Sequence, residues 1–264
     1  AGGDIKISIL QDATMTWNEP LDWEATDAPR RAISTERSTD LKGRGVKPGQ
    51  TVAIIVSLAD TMPAEMGGPN TNSASPITLR VVAPEDLMKD LVDRQKTLRL
   101  EFVQAMGQHR AAETKVDTLI AEAAEMSAAQ REGEIGQVTG LEQSVASEIA
   151  KASQALQGVL DELTHNRLGS PADHEALKDQ VITPLEALNG EMANLLAEIE
   201  GARRQDDPAE LAESLEAAAV RQDQVHDQMA EILKHMERLQ SRQDLANQLQ
   251  LIIRWSEETL EFIE

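Results

Sequence analysis

Apolar residues recur at intervals of seven from about residue 84 onward, and this spacing constrains the fold more than any other feature of the sequence. One row consists of Leu91, Leu98, Ala105, Ala112, Leu119 and Met126. A companion row consists of Gln95, Phe102, His109, Val116 and Ala123. Two parallel rows of this kind place an apolar stripe along one long helix, and another helix has to cover that stripe.

Three further segments repeat the same spacing. The second segment carries the rows Val138, Val145, Ala152, Val159 and Ile135, Ile149, Leu156, Leu163. The third carries Val181, Leu188, Leu195, Ala202 and Leu185, Met192, Ile199. The fourth carries Leu211, Ala218, Val225, Ile232, Leu239, Ala246, Ile253 and Leu215, Gln222, Met229, Met236, Gln243. The sequence therefore predicts four helices, over about 84–132, 134–166, 171–204 and 208–263, whose short connections favour antiparallel neighbours.

Prolines and glycines mark the expected helix ends. Pro84, Pro171 and Pro208 suit the first helical turn, where a missing N–H has no helical partner. Gly133 is expected to end or bend the first helix. Pro184 lies inside an apolar pattern that continues across it, so it predicts a kink or a short break.

Polar residues inside the apolar rows predict the register of the bundle. If the first and fourth helices pair antiparallel, residues whose numbers total about 338 meet. Gln95 then lies beside Gln243, and His109 lies near Met229. A polar pair in an apolar seam can specify one register, and Gln222 is a further core residue of this kind.

Residues 1–82 have the period of β-strands instead. Alternating or β-branched runs predict strands over about 5–9, 51–58 and 77–82, separated by turns rich in Pro and Gly. Trp17 and Trp23 are expected to plug the small core beside this sheet. The predicted fold is α+β, mainly α: a small β-domain over 1–82 precedes an elongated antiparallel helical bundle or coiled coil over 83–264.

Charge and composition exclude several classes of function. The formal net charge is -21, nearly all of it beyond residue 82, so a nucleic-acid or anionic lipid partner is not expected. Two Phe, three Trp and no Tyr supply little material for a thick enzyme core. The chain has no Cys, which excludes disulfides and thiolate chemistry. No apolar run is long enough to cross a membrane.

Histidines and acids show no complete catalytic or metal-binding pattern. Glu162 and His165 have the Glu-x-x-His spacing of di-metal bundles, and Asp223 and His226 nearly match it. The apolar rows given above offer no further acids to complete such a centre. We therefore predict no catalytic residue, metal site or cofactor, and interpret His109 as a core histidine with a satisfied hydrogen bond.

Apolar residues near the C-terminus are the best interface candidates. Trp255, Ile252 and Phe262 belong to the most apolar end of the chain, and a large aromatic side chain is a typical anchor of protein interfaces. Burial of Trp255 against the β-domain explains this residue equally well. Met229 and Met236 are included because methionine rows can form adaptable grooves, although core filling is the favoured explanation of these residues.

The junction between the two regions resembles a known group of proteins. A Lys47-Pro48-Gly49 turn enters a strand that ends at Ala59-Asp60, and Ala83-Pro84-Glu85-Asp86 then leads into a helix rich in Gln and Arg. This is similar to large, uncharacterised envelope proteins of planctomycete-like bacteria. The resemblance implies an Ig-like β-sandwich and an extracytoplasmic or periplasmic location, with tethering through segments outside this chain.

The favoured function is a non-enzymatic structural or interaction scaffold whose bundle acts as a spacer or docking surface for a protein partner or a second copy. A module that binds a ligand or envelope polymer through the β-domain is the alternative. A metal-dependent bundle enzyme is the third interpretation, and the incomplete Glu-x-x-His pattern argues against it.

Overall fold

A computed structural model describes residues 2–21, 41, 43–60, 62 and 64–261. The chain divides into two compact units, Ala1–Leu87 and Met88–Glu264. This division falls close to the point at which the hydrophobic period changes. The first unit holds an antiparallel sheet, and the second holds helices.

Five strands form the sheet: β1 Gly2–Ile9, β2 Asp12–Pro20, β3 Thr51–Ala59, β4 Thr71–Ser73 and β5 Ile77–Arg80. Strand β1 lies between β2 and β3, while β4 and β5 both pair with β3. All pairings are antiparallel. The three predicted strands are present, and β2 and β4 are two further strands that the apolar pattern did not predict. The described residues form one sheet, so they do not include the second sheet of an Ig-like sandwich.

One face of the sheet is apolar and carries the core of this unit. Ile7, Ile9 and Val52 are buried on it. Partly buried apolar residues surround them: Ile5, Met15, Trp17, Leu41, Val46, Ile54 and Val81. Trp17 therefore packs where the sequence predicts, with the guanidinium carbon of Arg44 5.4 Å from its ring centroid. Trp23 lies outside the described residues.

A glycine turn joins this core to β5. Gly49 has a φ of 91°, in the left-handed region that glycine adopts at little cost. Its N–H donates a 2.8 Å hydrogen bond to the carbonyl of Val81. The Lys47-Pro48-Gly49 turn thereby holds the entry to β3 beside the end of β5.

The second unit is built from helices α1 Pro84–Glu122, α2 Ala128–His165, α3 Pro171–Leu177, α4 Thr183–Ala202 and α5 Pro208–Glu261. A π-helical turn, Lys178–Ile182, joins α3 to α4, so helical backbone continues from Pro171 to Ala202. The Thr183 N–H bonds back to the Lys178 carbonyl across five residues. The sequence predicts a kink or short break at Pro184; the structure instead has a π-helical turn just before this proline, and the helix continues through it.

Cross-helix ion pairs show that neighbouring helices are antiparallel. Lys115 of α1 pairs with Glu134 of α2 at 2.8 Å. Further along both helices, Arg94 pairs with Glu162 at 2.7 Å. α4 packs against both α2 and α5. Because α1 also meets α5 through the contacts below, the helical path forms an antiparallel four-helix bundle.

The predicted register between α1 and α5 is confirmed. Lys96 pairs with Asp244 at 3.4 Å, and Arg99 pairs with Glu237 at 3.5 Å. In each pair, the two residue numbers add up to within about two of 338, the sum predicted for residues that face each other across the α1–α5 seam. The apolar rows also lie inside the bundle, with Leu119, Val145 and Leu195 among its buried residues.

The boundary between α1 and α2 differs from the prediction. The first helix ends at Glu122, and α2 begins at Ala128, so Gly133 lies within a helix. Ser127 and Gln130 form a capping box, in which each side chain accepts a hydrogen bond from the other residue's backbone N–H. The cap at Ser127 therefore starts α2 before Gly133, where the sequence predicts the end of the first helix. Packing between helices outweighs the helix penalty of glycine, so Gly133 is tolerated inside α2.

We expect Ser127→Ala to lower the free energy of unfolding by about 1 kcal/mol, because the first turn of α2 loses a hydrogen-bond acceptor. Urea unfolding followed by circular dichroism measures this change. Ser147→Ala is the matched control, because Ser147 is exposed in the middle of α2. The control is expected to stay within about 0.5 kcal/mol of the wild type, and equal losses in the two variants would contradict the capping role.

Candidate functional site

A buried polar layer lies inside the helical bundle, and His109 of α1 is its centre. The His109 side chain is 0% exposed. Its Nδ1 lies 2.9 Å from Oε2 of Glu142 on α2, and its Nε2 lies 3.0 Å from the backbone carbonyl oxygen of Gln222 on α5. The interpretation of His109 as a core histidine with satisfied hydrogen bonds agrees with this geometry.

Glu142 is the residue that sequence reasoning missed. Its row runs from Ile135 to Ile149, and the skipped position seven residues after Ile135 is Glu142, which is fully buried. The expectation that the apolar rows contain no acid is therefore wrong. The missing apolar residue at this heptad position could have revealed Glu142, because a charged side chain in an apolar row requires a partner on a facing helix.

Gln222 completes the layer from α5. Its Nε2 donates a 2.7 Å hydrogen bond to Oε1 of Glu142, and the residue is 0% exposed. Both carboxylate oxygens of Glu142 thus have partners, although Oε1 of Gln222 has none. The prediction of Gln222 as a core polar residue is consistent with this position, and its partner is an acid on α2.

The hydrogen bonds determine the charge of the His109–Glu142 pair. A carboxylate and a backbone carbonyl can only accept, so both ring nitrogens of His109 carry protons when Glu142 is ionised. Burial opposes a charge on the ring, but the hydrogen bond and charge of Glu142, the Gln222 carbonyl and the charge of Glu113 outweigh it and raise the pKa of His109. Below this raised pKa, the layer therefore holds an imidazolium in contact with the Glu142 side chain.

We expect the stability of the protein to fall as pH rises through the raised pKa of His109. The folded state holds this proton more tightly than the unfolded chain, so the contribution is complete below the ordinary histidine pKa of about 6.5 and is lost above the folded value. Chemical unfolding at a series of pH values measures the slope. Without its carboxylate partner, buried His109 favours the neutral form, so Glu142→Gln should reverse the slope. The same slope in both proteins would contradict the assignment.

At its solvent side the layer meets a second histidine. The rings of His109 and His226 stack, with centroids 6.1 Å apart and planes 18° apart. Oε1 of Glu113 lies 3.4 Å from Nδ1 of His226, and Arg110 lies 3.3 Å from Nε2 of the same ring. An open cleft of about 430 Å³ begins here, and Asp223 and His226 both line it.

The other candidates from the sequence are spread over the bundle. Met229 and Met236, named as interface candidates, are buried and fill the core between helices. Gln95 is half-buried and lines a small pocket together with Met236. Glu162 pairs with Arg94, so it does not form a centre with His165.

Four of the candidate residues near the end of the chain have side chains outside the described part of the structure. The side chains of Gln243, Ile252 and Trp255 lie outside the described part, as does the whole of Phe262. The predicted Gln95–Gln243 pair and the aromatic anchor at Trp255 therefore stay predictions.

No protein-family model, curated protein or solved structure matches this chain. The resemblance to bacterial envelope proteins therefore stays a prediction. Among the helices in the described part of the chain, none combines the length and the apolar content that a membrane crossing requires.

Proposed function

We propose that this chain is a non-enzymatic interaction scaffold whose helical unit serves as a spacer or docking surface. The antiparallel bundle supports this function, because its helices are covered by one another along continuous apolar rows. Ion pairs such as Lys96–Asp244 and Arg221–Glu198 cross between helices on its surface. A unit of this kind can present fixed positions to a partner.

The observation that carries the proposal is the buried layer of His109, Glu142 and Gln222. Burying charged and polar side chains costs desolvation energy that an apolar layer would not cost. The layer favours one register, since a shift of α1 or α2 by one heptad would separate His109 from Glu142, and a shift of α5 would remove the hydrogen bonds of Gln222. We infer that the bundle gives up stability to keep a single arrangement, which a spacer requires.

The partner that this scaffold would hold is a protein or a second copy of the chain. The strongly acidic surface favours a partner with a basic contact surface. In keeping with the resemblance at the junction, we propose that the protein works in the bacterial envelope, with an Ig-like module before the bundle.

Distance measurement by electron paramagnetic resonance tests the spacer function. The chain has no Cys, so Leu100→Cys and Val220→Cys place one spin label each on exposed positions of α1 and α5. We expect one narrow distance distribution in the full chain without any added partner. A broad or multi-peaked distribution would overturn the proposal, because it would show a bundle without a fixed arrangement.

Molar mass by light scattering then separates the two kinds of partner. A mass near 28.8 kDa would show that the helices cover one another within one chain and that the partner is another protein. A mass twice as large would identify a second copy as the partner.

The sheet unit supports a second candidate function, the binding of an envelope polymer. Ile77 and Leu79 of β5 pair with Ile54 and Val52, yet they are 57% and 47% exposed. An apolar sheet surface of this kind can receive sugar rings or peptide side chains. Co-sedimentation of the full chain with purified bacterial cell-wall polymer tests this, and equal binding by the Ile77→Ser/Leu79→Ser variant would rule it out.

A further inference from the structure

Three side chains with metal-binding atoms converge at the edge of the buried layer. His109 and Glu113 lie one helical turn apart on α1, and His226 faces them from α5. One ligand atom from each residue lies within 4.8 Å of the others. Two imidazoles and one carboxylate are a donor set that divalent transition metals such as zinc prefer.

Two of the three separations between these atoms match those around one ion. Oε1 of Glu113 is 3.4 Å from Nε2 of His109 and 3.4 Å from Nδ1 of His226. Two ligands held at about 2.0–2.1 Å from a zinc ion at the tetrahedral angle are themselves about 3.4 Å apart. The carbonyl oxygen of Gln222, 3.0 Å from the same His109 nitrogen, has the spacing of adjacent ligands near a right angle. The side chains therefore need little movement to coordinate an ion.

One of the three atoms also lacks a hydrogen-bond partner. Nδ1 of His226 is buried, and it makes no hydrogen bond with good geometry. A buried polar atom without a partner is uncommon, because it loses its water without compensation. A ligand at this position would satisfy it.

From these observations we infer that His109, Glu113 and His226 bind one divalent transition-metal ion, with zinc as the best fit. Glu142 supports the site from behind, because it accepts a hydrogen bond from Nδ1 of His109 and leaves Nε2, which now faces the Gln222 carbonyl, as the ring atom available to the ion. A buried carboxylate behind a ligating histidine is the usual way to fix the orientation of the ring and raise its basicity.

Binding of the ion changes the protonation of both histidines and the contact of Arg110 with His226. The ion takes the place of the proton on Nε2 of His109, and this proton leaves to solvent. Arg110 can only donate to Nε2 of His226, so a neutral ring carries its proton on Nδ1 before the ion binds. When Nδ1 binds the ion, that proton is released to solvent and Nε2 takes up a proton from solvent, so the exposed Arg110 has to turn away from Nε2. Asp223 and Asp227 line the same cleft and can receive the guanidinium.

The cleft gives a hydrated ion a route to the site. Its volume of about 430 Å³ is open to solvent, so water molecules can complete the coordination. Three protein side chains with the remaining positions open to water describe an accessible site rather than a closed structural one. This inference is independent of the scaffold function, since a bundle can serve as a spacer with or without the ion.

Calorimetric titration of the full chain with zinc chloride, after treatment with a chelator, tests the site. We expect one equivalent of zinc to bind per chain. Glu113→Gln and His226→Gln should each weaken binding on the order of 100-fold or more, because each variant removes one of three protein ligands. Cobalt(II) added in place of zinc should give an intense visible spectrum of low-coordinate geometry, and this spectrum should be lost in both variants.

The control is His235→Gln. His235 also lies on α5, and its Nε2 is 3.9 Å from Glu231, but this pair has no second histidine beside it. The control should bind zinc as the wild type does. Absence of one-equivalent binding to the wild type, or unchanged affinity in both the Glu113 and the His226 variant, would overturn the inference. Both replaced side chains are partly exposed, and circular dichroism checks that the variants remain folded.

Discussion

Glu142→Ala is expected to lower the free energy of unfolding by about 3–5 kcal/mol, because it breaks a fully buried pair and leaves the groups that faced the carboxylate without a partner. His109 would keep its burial and lose the carboxylate that stabilises the imidazolium. The Nε2 amide group of Gln222 would lose its acceptor at the same time. Urea unfolding followed by circular dichroism measures the loss.

The control for this effect is an exposed ion pair on the same helix. Glu134 pairs with Lys115 at 2.8 Å, but both side chains are about one third exposed. Glu134→Ala should therefore cost no more than about 1 kcal/mol. If the two glutamate variants lost the same amount, Glu142 would not be the buried partner that the structure describes.

Replacing the whole layer separates stability from specificity. The variant His109→Leu/Glu142→Leu/Gln222→Leu removes all three polar side chains together, so no unpaired charge remains. Its stability should be equal to that of the wild type or higher by about 1–4 kcal/mol. If the layer specifies the register, the spin-label distances between Leu100→Cys and Val220→Cys should broaden in this variant. A narrow, unchanged distribution would show that apolar packing alone specifies the arrangement.

Phe102→Ala should lower the free energy of unfolding by a similar amount, about 3–5 kcal/mol, for a different reason. Phe102 is 1% exposed in the core of the bundle. Its removal loses the transfer energy of the ring and leaves a cavity that neighbouring helices fill only in part. The same unfolding experiment measures this loss.

Leu100 offers a control two residues away on the same helix. It is 55% exposed, so it points away from the seam. Leu100→Ala should stay within about 0.5 kcal/mol of the wild type. A loss in Leu100→Ala that approached the loss in Phe102→Ala would mean that the seam of α1 faces another direction.

The sequence allowed most of the bundle to be predicted. Rows such as Leu188, Leu195 and Ala202 are buried as their spacing indicates, because a helix with an apolar stripe can be stable only when another helix covers it. The tripeptide Arg221-Gln222-Asp223 recurs three heptads later as Arg242-Gln243-Asp244, so its spacing predicts that both copies face the same way. Arg221 pairs with Glu191 and Arg242 pairs with Asp173, so both copies face the same helical path.

The buried polar layer was predicted only in part. The heptad rows included His109 and Gln222 as polar members, but they omitted Glu142, which occupies the position between Ile135 and Ile149. A polar residue at one heptad position can be interpreted only when the residues that face it on the other helices are known. The cluster of His109, Glu113 and His226 could not be predicted either, since it joins residues more than 100 positions apart in the chain.

The sequence by itself therefore determined the number of long helices, their apolar faces, and the antiparallel register of α1 and α5. These features depend on the heptad spacing of apolar residues, which repeats along each helix, so single exceptions do not change the prediction. The tertiary structure alone decided that Ser127 rather than Gly133 marks the turn, and that Glu142 meets His109 and Gln222. Each of those outcomes depends on a single contact or a single penalty of about 1 kcal/mol, which packing between helices can outweigh.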